Sequence, residues 1–111
     1  MKKEIPSDLK SKVFQFKDLL DYQTDSIVSR VIVDTDNTKI TLFAFDQGQS
    51  LSEHTTSFNA FLNIIEGSMA VTISGEVFQV KDNQTTIMPA NAPHSLIANS
   101  KAKMLLVMYK E

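Results

Sequence analysis

GQSLSEHTTSFNAFLNIIEG, residues 48–67, opens and closes on a glycine and holds His54, one of two histidines in the chain. Between the glycines lie two runs that read as strands. The second histidine, His94, falls in PANAPHSLIAN (89–99), a segment with the same passage from turn to strand. Imidazole is the commonest metal ligand and titrates near neutrality, so two of them at the mouths of strands define a candidate shared site.

Working outward, the text is β on both sides. Upstream, SIVSRVIVD (26–34) is dense in β-branched residues, Asp34–Asn37 reads as a hairpin turn, and KITLFAF (39–45) follows. Downstream, SMAVTIS (68–74) turns at Ser74-Gly75 into EVFQV (76–80), a hairpin signal. Lys81–Gln84 turns into TTIMP (85–89), and HSLIA (94–98) and MLLVMY (104–109) close the chain. About nine or ten short, evenly spaced strands predict an all-β sandwich or barrel. Edge protection favours a closed or double-sheet form over an open sheet. Ahead of this region lies a polar lead-in, residues 1–12, where Pro6 argues against a helix. VFQF (13–16) predicts a short edge strand, and residues 17–22 predict a short helical turn. The expected division is a lead-in over 1–25 and a barrel domain over 26–111.

Composition narrows the partners. The chain has 111 residues, enough for one core, and a formal charge of −2 with no basic cluster, which argues against nucleic acid. No apolar run is long enough for a transmembrane helix, and MKKEIPSDLKSK lacks the apolar region of a signal peptide. The absence of cysteine excludes disulfides, thiolate metal sites and a cysteine nucleophile. A cytoplasmic location with no membrane partner is the expectation.

The two histidine stretches together resemble the motifs of the cupins, small jelly-roll β-barrels. The first cupin motif runs glycine, five residues, histidine, one residue, histidine, three or four residues, glutamate, six residues, glycine. Gly48, His54 and Gly67 match it. The second runs glycine, five residues, proline, one residue, glycine, two residues, histidine, three residues, asparagine, and Pro89 and His94 match that. The resemblance covers roughly residues 26–109 and looks most like the short single-domain bacterial cupins. It implies an all-β, single jelly-roll (cupin) barrel with a short N-terminal helical turn. It also implies a homodimer, often formed by exchanging or adding an N-terminal strand.

Departures from the pattern bear on the metal. Thr56 replaces the second histidine of the first motif, and Ala60 stands where the metal-binding glutamate would be. Asn83 and Asn91 occupy glycine positions, and asparagine tolerates the left-handed conformation. Ala98 replaces the asparagine of the second motif. Two histidines fall short of the three protein ligands of catalytic zinc, or the two histidines and carboxylate of non-haem iron.

Strand parity groups His54, Thr56, Phe58, Ala60 and Leu62 on one face, and His94, Leu96 and Ala98 on one face. It turns Glu53 away from His54, and Asn59 would offer an amide oxygen only across a bulge. The candidate ligand pocket is therefore His54, Thr56, Ala60, His94 and Leu96, with His54 and His94 as candidate metal ligands. The expectation is a barrel that binds a small anionic or hydroxylated molecule and has no resident cofactor. A divalent transition metal (zinc, nickel, manganese or iron) is the alternative. Two other readings stay open: a two-histidine, metal-dependent dioxygenase or isomerase, and a structural barrel whose histidines are vestigial. An acid–base enzyme would need a tyrosine or carboxylate beside a histidine, and nothing in the sequence places Tyr22 or Tyr109 there. Met88, Met104 and Met108 are expected in the core, and Phe43, Phe45, Phe58 and Phe61 as packing residues.

Overall fold

Runs of β-branched and aromatic residues, broken by residues that accept positive φ, become nine strands in the computed structural model, which describes residues 8–110. They are β1 (Ile27–Asp34), β2 (Thr38–Phe45), β3 (Ser50–His54), β4 (Asn59–Glu66), β5 (Ser68–Ile73), β6 (Glu76–Lys81), β7 (Thr85–Met88), β8 (His94–Ala98) and β9 (Ala102–Tyr109). The turns carry the chemistry that the sequence predicts. Ser74 and Gly75, at φ 49° and 84°, form the two-residue loop between β5 and β6, and positive φ at both positions matches the twist of a hairpin. Asn83 and Asn91 are left-handed, at φ 63° and 69°. The asparagines do at these two turns what glycine does elsewhere.

The strands form two antiparallel sheets, ordered β1-β2-β9-β4-β7 and β3-β8-β5-β6. This is the jelly-roll arrangement expected from the sequence. Neighbours in space are far apart in sequence, as where β9 inserts between β2 and β4. Alternation sends Phe45, Leu62, Ile64, Met88 and Met104 from the larger sheet, and Met69, Val71, Leu96 and Ala98 from the smaller, into one buried core. Met88 and Met104 fill this core as expected, with Met69 beside them and Met108 packed against it only partly buried, and the rings of Phe43 and Phe45 pack 5.8 Å apart.

The lead-in departs from expectation in two places; the effect of Pro6 lies outside the described residues. Residues 13–16 form no edge strand. Gln15 is extended (φ −108°, ψ 133°), but no strand pairs with the segment, and Phe16 already begins a 3₁₀ turn. The helical turn expected over 17–22 is only Phe16–Asp18, closed by Leu19 N–H to the Phe16 carbonyl.

The reason lies in the carbonyls. A helix running on would spend the oxygens of Lys17 and Leu19 on amides four residues later. Lys103 Nζ takes the first at 2.6 Å and the Arg30 guanidinium takes the second at 3.4 Å. Leu9, Phe16, Leu19, Leu20 and Tyr22 meanwhile pack with Leu42, Ala44 and Leu105, making a second apolar cluster on the outer face of the five-stranded sheet. The lead-in is a strap held by the sheet beneath it.

Candidate functional site

His54 ends β3 and His94 begins β8, and these strands are neighbours in the four-stranded sheet. The ladder pairs the two residues directly. A register shift between Leu51 and His54 makes this possible. Leu51 pairs with Leu96, and the extra residue of the bulge lets Leu51 and His54, three positions apart, both oppose inward-facing residues. The two rings meet edge to face, with centroids 4.3 Å apart and planes at 68°.

Each imidazole is held the same way. Nδ1 of His54 lies 2.7 Å from the Ser52 carbonyl, and Nδ1 of His94 lies 3.0 Å from the Ala92 carbonyl. A carbonyl oxygen only accepts, so Nδ1 carries the hydrogen in both rings and Nε2 keeps the free lone pair. Neither Nε2 has a hydrogen-bond partner among the described residues. His54 is exposed; the His94 residue is only 4% exposed, yet among the described residues no buried side-chain nitrogen or oxygen lacks a partner, so its Nε2 is the part that reaches solvent. The arrangement offers two adjacent acceptor nitrogens, pre-oriented by the backbone. Ser52 and Ala92 are positioning groups that the sequence did not reveal, because a carbonyl has no residue signature; each simply stands two residues before its histidine.

The remaining candidates are placed less favourably for direct contact. Parity does not carry from His54 to Thr56 and Phe58, because residues 55–58 are a loop that crosses from one sheet to the other. Within it, the Thr56 hydroxyl accepts from the Phe58 amide at 3.3 Å, and the Thr56 carbonyl accepts from the Asn91 amide at 2.7 Å. These bonds tie the first histidine loop to the turn ahead of the second. Ala60 and Leu96 are buried in the core on opposite sheets. The Asn59 amide oxygen accepts from the Ala90 amide at 3.0 Å, so it is spent on the turn.

Tyrosine is not at the site. Tyr22 donates to Glu66 at 2.6 Å on the strapped outer face, with the Lys103 ammonium 5.1 Å from its ring centre. Burial, then the Glu66 carboxylate, raises the Tyr22 phenol above its ordinary range. Tyr109 pairs with Thr38 and Asn59, and β9 alternation turns it away from the core that Met104 occupies.

A metal implied by the fold finds an incomplete set of donors. Among the described residues no group of three or more histidine, cysteine, aspartate or glutamate side chains converges. The residues present do not fit a resident metal of the usual kind. A groove of about 360 Å³ lies elsewhere, between the free edges of β6 and β7, lined by Phe78, Gln79, Val80, Gln84, Thr85 and Thr86. The imidazole pair, rather than this groove, carries the reactive groups.

Comparison with known proteins bears on the whole barrel. A family model described as Cupin domain matches residues 41–109. The chain is 32% identical to a conserved Streptococcus pyogenes protein of unknown function, covering 98% of this chain and 96% of that one, with a TM-score of 0.92. A Cupin 2 conserved barrel domain protein from Leptotrichia buccalis is also 32% identical, with a TM-score of 0.85, over 87% of this chain and 47% of its own length. A cupin superfamily protein from Desulfitobacterium hafniense shares the fold at 20% identity, with a TM-score of 0.87 over 100% of this chain and 99% of that one. Among curated proteins nothing matches. No helix of the described residues is long and apolar enough to cross a membrane.

Proposed function

The chain belongs to the cupin family, and from that membership and the paired imidazoles we propose that it binds a small hydroxylated or anionic molecule at the barrel mouth, at a metal site that has become degenerate. The observation behind this reading is the common tautomer of the two rings: both Nδ1 atoms are tied to carbonyls, leaving the two Nε2 atoms side by side and free of protein partners. Neutral, each Nε2 accepts a hydrogen bond from a ligand hydroxyl; protonated, it donates to a carboxylate or other anion. In support, the loop carrying Thr56 follows His54 directly, and Ala60 and Leu96 supply apolar surface from the core.

A second reading is favoured by the same tautomer. A metal-ligating histidine usually donates its other ring N–H to a backbone carbonyl or carboxylate, as both do here. On that reading His54 and His94 are two ligands of a transition-metal centre, and the enzyme class of dioxygenases and isomerases becomes relevant.

One set of measurements separates the readings. Untagged protein is assayed for bound metal and screened against a library of small sugars, hydroxy acids and carboxylates by thermal shift and imidazole 15N spectra. The expected result is a hit that shifts both ring signals in the wild type and is lost in His94→Ala, with less than one metal per chain. One equivalent of metal, lost in His54→Ala, would overturn the degenerate-site reading. Turnover in the presence of iron, manganese, nickel or zinc would place the chain among the enzymes. Two histidines replaceable with no effect beyond stability would make the pair vestigial.

A further inference from the structure

Strands β6 and β7 each end a sheet and have a neighbour on one side only. Their hydrogen-bond phase follows from the turns. Ser74-Gly75 is a two-residue loop, so Ile73 and Glu76 form a hydrogen-bonded pair, and bonding to β5 recurs at Phe78 and Val80. The amides and carbonyls of Val77, Gln79 and Lys81 therefore face away from β5. At Lys81 both are taken: the amide donates to the Gln84 side-chain oxygen at 2.9 Å, and the carbonyl accepts from the Gln84 amide at 2.8 Å. Val77 and Gln79 have no such backbone partner among the described residues. On β7, the Ile64 amide donates to the Gln84 carbonyl, which sets the phase with β4 and leaves Thr85 and Ile87 facing the free edge.

These two edges border the groove of about 360 Å³. Phe78 and Val80 pair with the core residues Val71 and Met69, so their side chains point between the sheets. Thr86, opposite Leu62, points inward from β7. Val77 and Ile87 point outward, 60% and 58% exposed. Among the described residues six large apolar side chains are exposed, and Val77, Phe78 and Ile87 put three of them on these edges. Natural sheets guard an open edge with charge or proline. Residues 77–80 and 85–88 contain neither.

We propose that the β6 edge is a docking site for an extended peptide of a partner protein, added to the four-stranded sheet as an antiparallel fifth strand. The backbone groups of Val77 and Gln79 supply the hydrogen bonds, and alternate peptide side chains enter the groove over Phe78 and Val80. Charge selects the peptide and its direction. Glu76 and Lys81 bracket the uncharged run, and neither is in an ion pair among the described residues. The complementary segment carries an acid opposite Lys81, four uncharged residues that are apolar at the inward positions, and a base opposite Glu76. Size selects one chain over a second sheet. Strand spacing, sheet spacing and rise give an added strand roughly 160 Å³ per residue, so the groove holds about two residues of a single strand. Gln84 closes its Lys81 end, and β7 stands across it.

A fluorescein-labelled peptide, Glu-Val-Thr-Val-Thr-Lys, tests this with the full chain by anisotropy and amide 15N–1H spectra. Saturable binding is expected, with the largest shifts at the Val77 and Gln79 amides. The two threonines pair with these residues, so N-methylating them should weaken binding tenfold or more, while N-methylating the two valines should not. Exchanging the terminal glutamate and lysine should weaken it several-fold. Gln79→Pro removes an edge amide that β5 does not use, so it should fold by circular dichroism and bind at least tenfold more weakly. No saturation by about 1 mM peptide overturns the proposal. So does binding that ignores the N-methyl threonines, or shifts centred on His54 and His94. Self-association of the chain that Gln79→Pro abolishes would give the edge to a second copy and overturn it as well.

Discussion

Gly48 and Gly67 bracket the same stretch and both have positive φ, +85° and +95°, yet they answer to different constraints. A Cβ on Gly48 would meet nothing within 4 Å. A Cβ on Gly67 would run into the backbone of β9, against the Lys101 carbonyl oxygen and 2.8 Å from Ala102 Cα. Both pay for the left-handed conformation in an L-residue, but only Gly67 adds a backbone clash. Gly48→Ala is expected to cost about 1 kcal/mol and Gly67→Ala more than about 3 kcal/mol in urea unfolding. Equal costs would show that β9 yields easily at that point. The histidines make the same point about single residues. Each was visible as a candidate from its type and its motif, but the carbonyl that sets its tautomer was not.

At the scale of elements, the strap and the strands behave differently. Strand segments keep their predicted bounds to within a residue or two, because alternation and turn residues are local properties. The strap does not: its carbonyls and apolar side chains are claimed by β1, β2 and β9, so tertiary contacts override its weak local preference. Tyr22 is one of its fasteners, bonded to Glu66 at 2.6 Å. Its phenol is raised by burial and then by Glu66, so the folded chain holds that proton more tightly than the unfolded chain, whose tyrosine titrates near 10.0. The strap's contribution is therefore complete below pH 10 and declines as pH climbs beyond it toward the folded value. Melting temperature followed from pH 8 upward should fall past about pH 10, and Tyr22→Phe should flatten the part of that fall due to this group. An unchanged slope in the variant would remove Tyr22 from the account.

For the whole molecule, the core joins the two sheets. Leu62 on β4 is fully buried among residues from both, with Met69, Val71 and Leu96 in the same cluster. Leu62→Ala should cost roughly 2–5 kcal/mol by leaving a cavity that packed sheets cannot close. Calorimetry checks this: a single cooperative transition at a lower temperature is expected, and a loss below about 1 kcal/mol would mean the sandwich collapses around the gap. The same packing sets the limits of the site. Ala60 and Leu96 belong to this core, while His54 at the end of β3 is exposed.

What the amino-acid sequence determined by itself is the material of the barrel: the strand segments, the turns where Asn83, Asn91, Ser74 and Gly75 take positive φ, and the apolar faces that become the core. These follow from properties of a residue and its near neighbours. The tertiary structure alone decided that β3 lies beside β8, that a bulge turns His54 toward His94, and that the two rings stand 4.3 Å apart with matching tautomers. It alone laid the strap against the outer face of one sheet. Strand order and register are settled by which arrangement buries both sheets' apolar faces at once, and no local stretch of the chain encodes that choice.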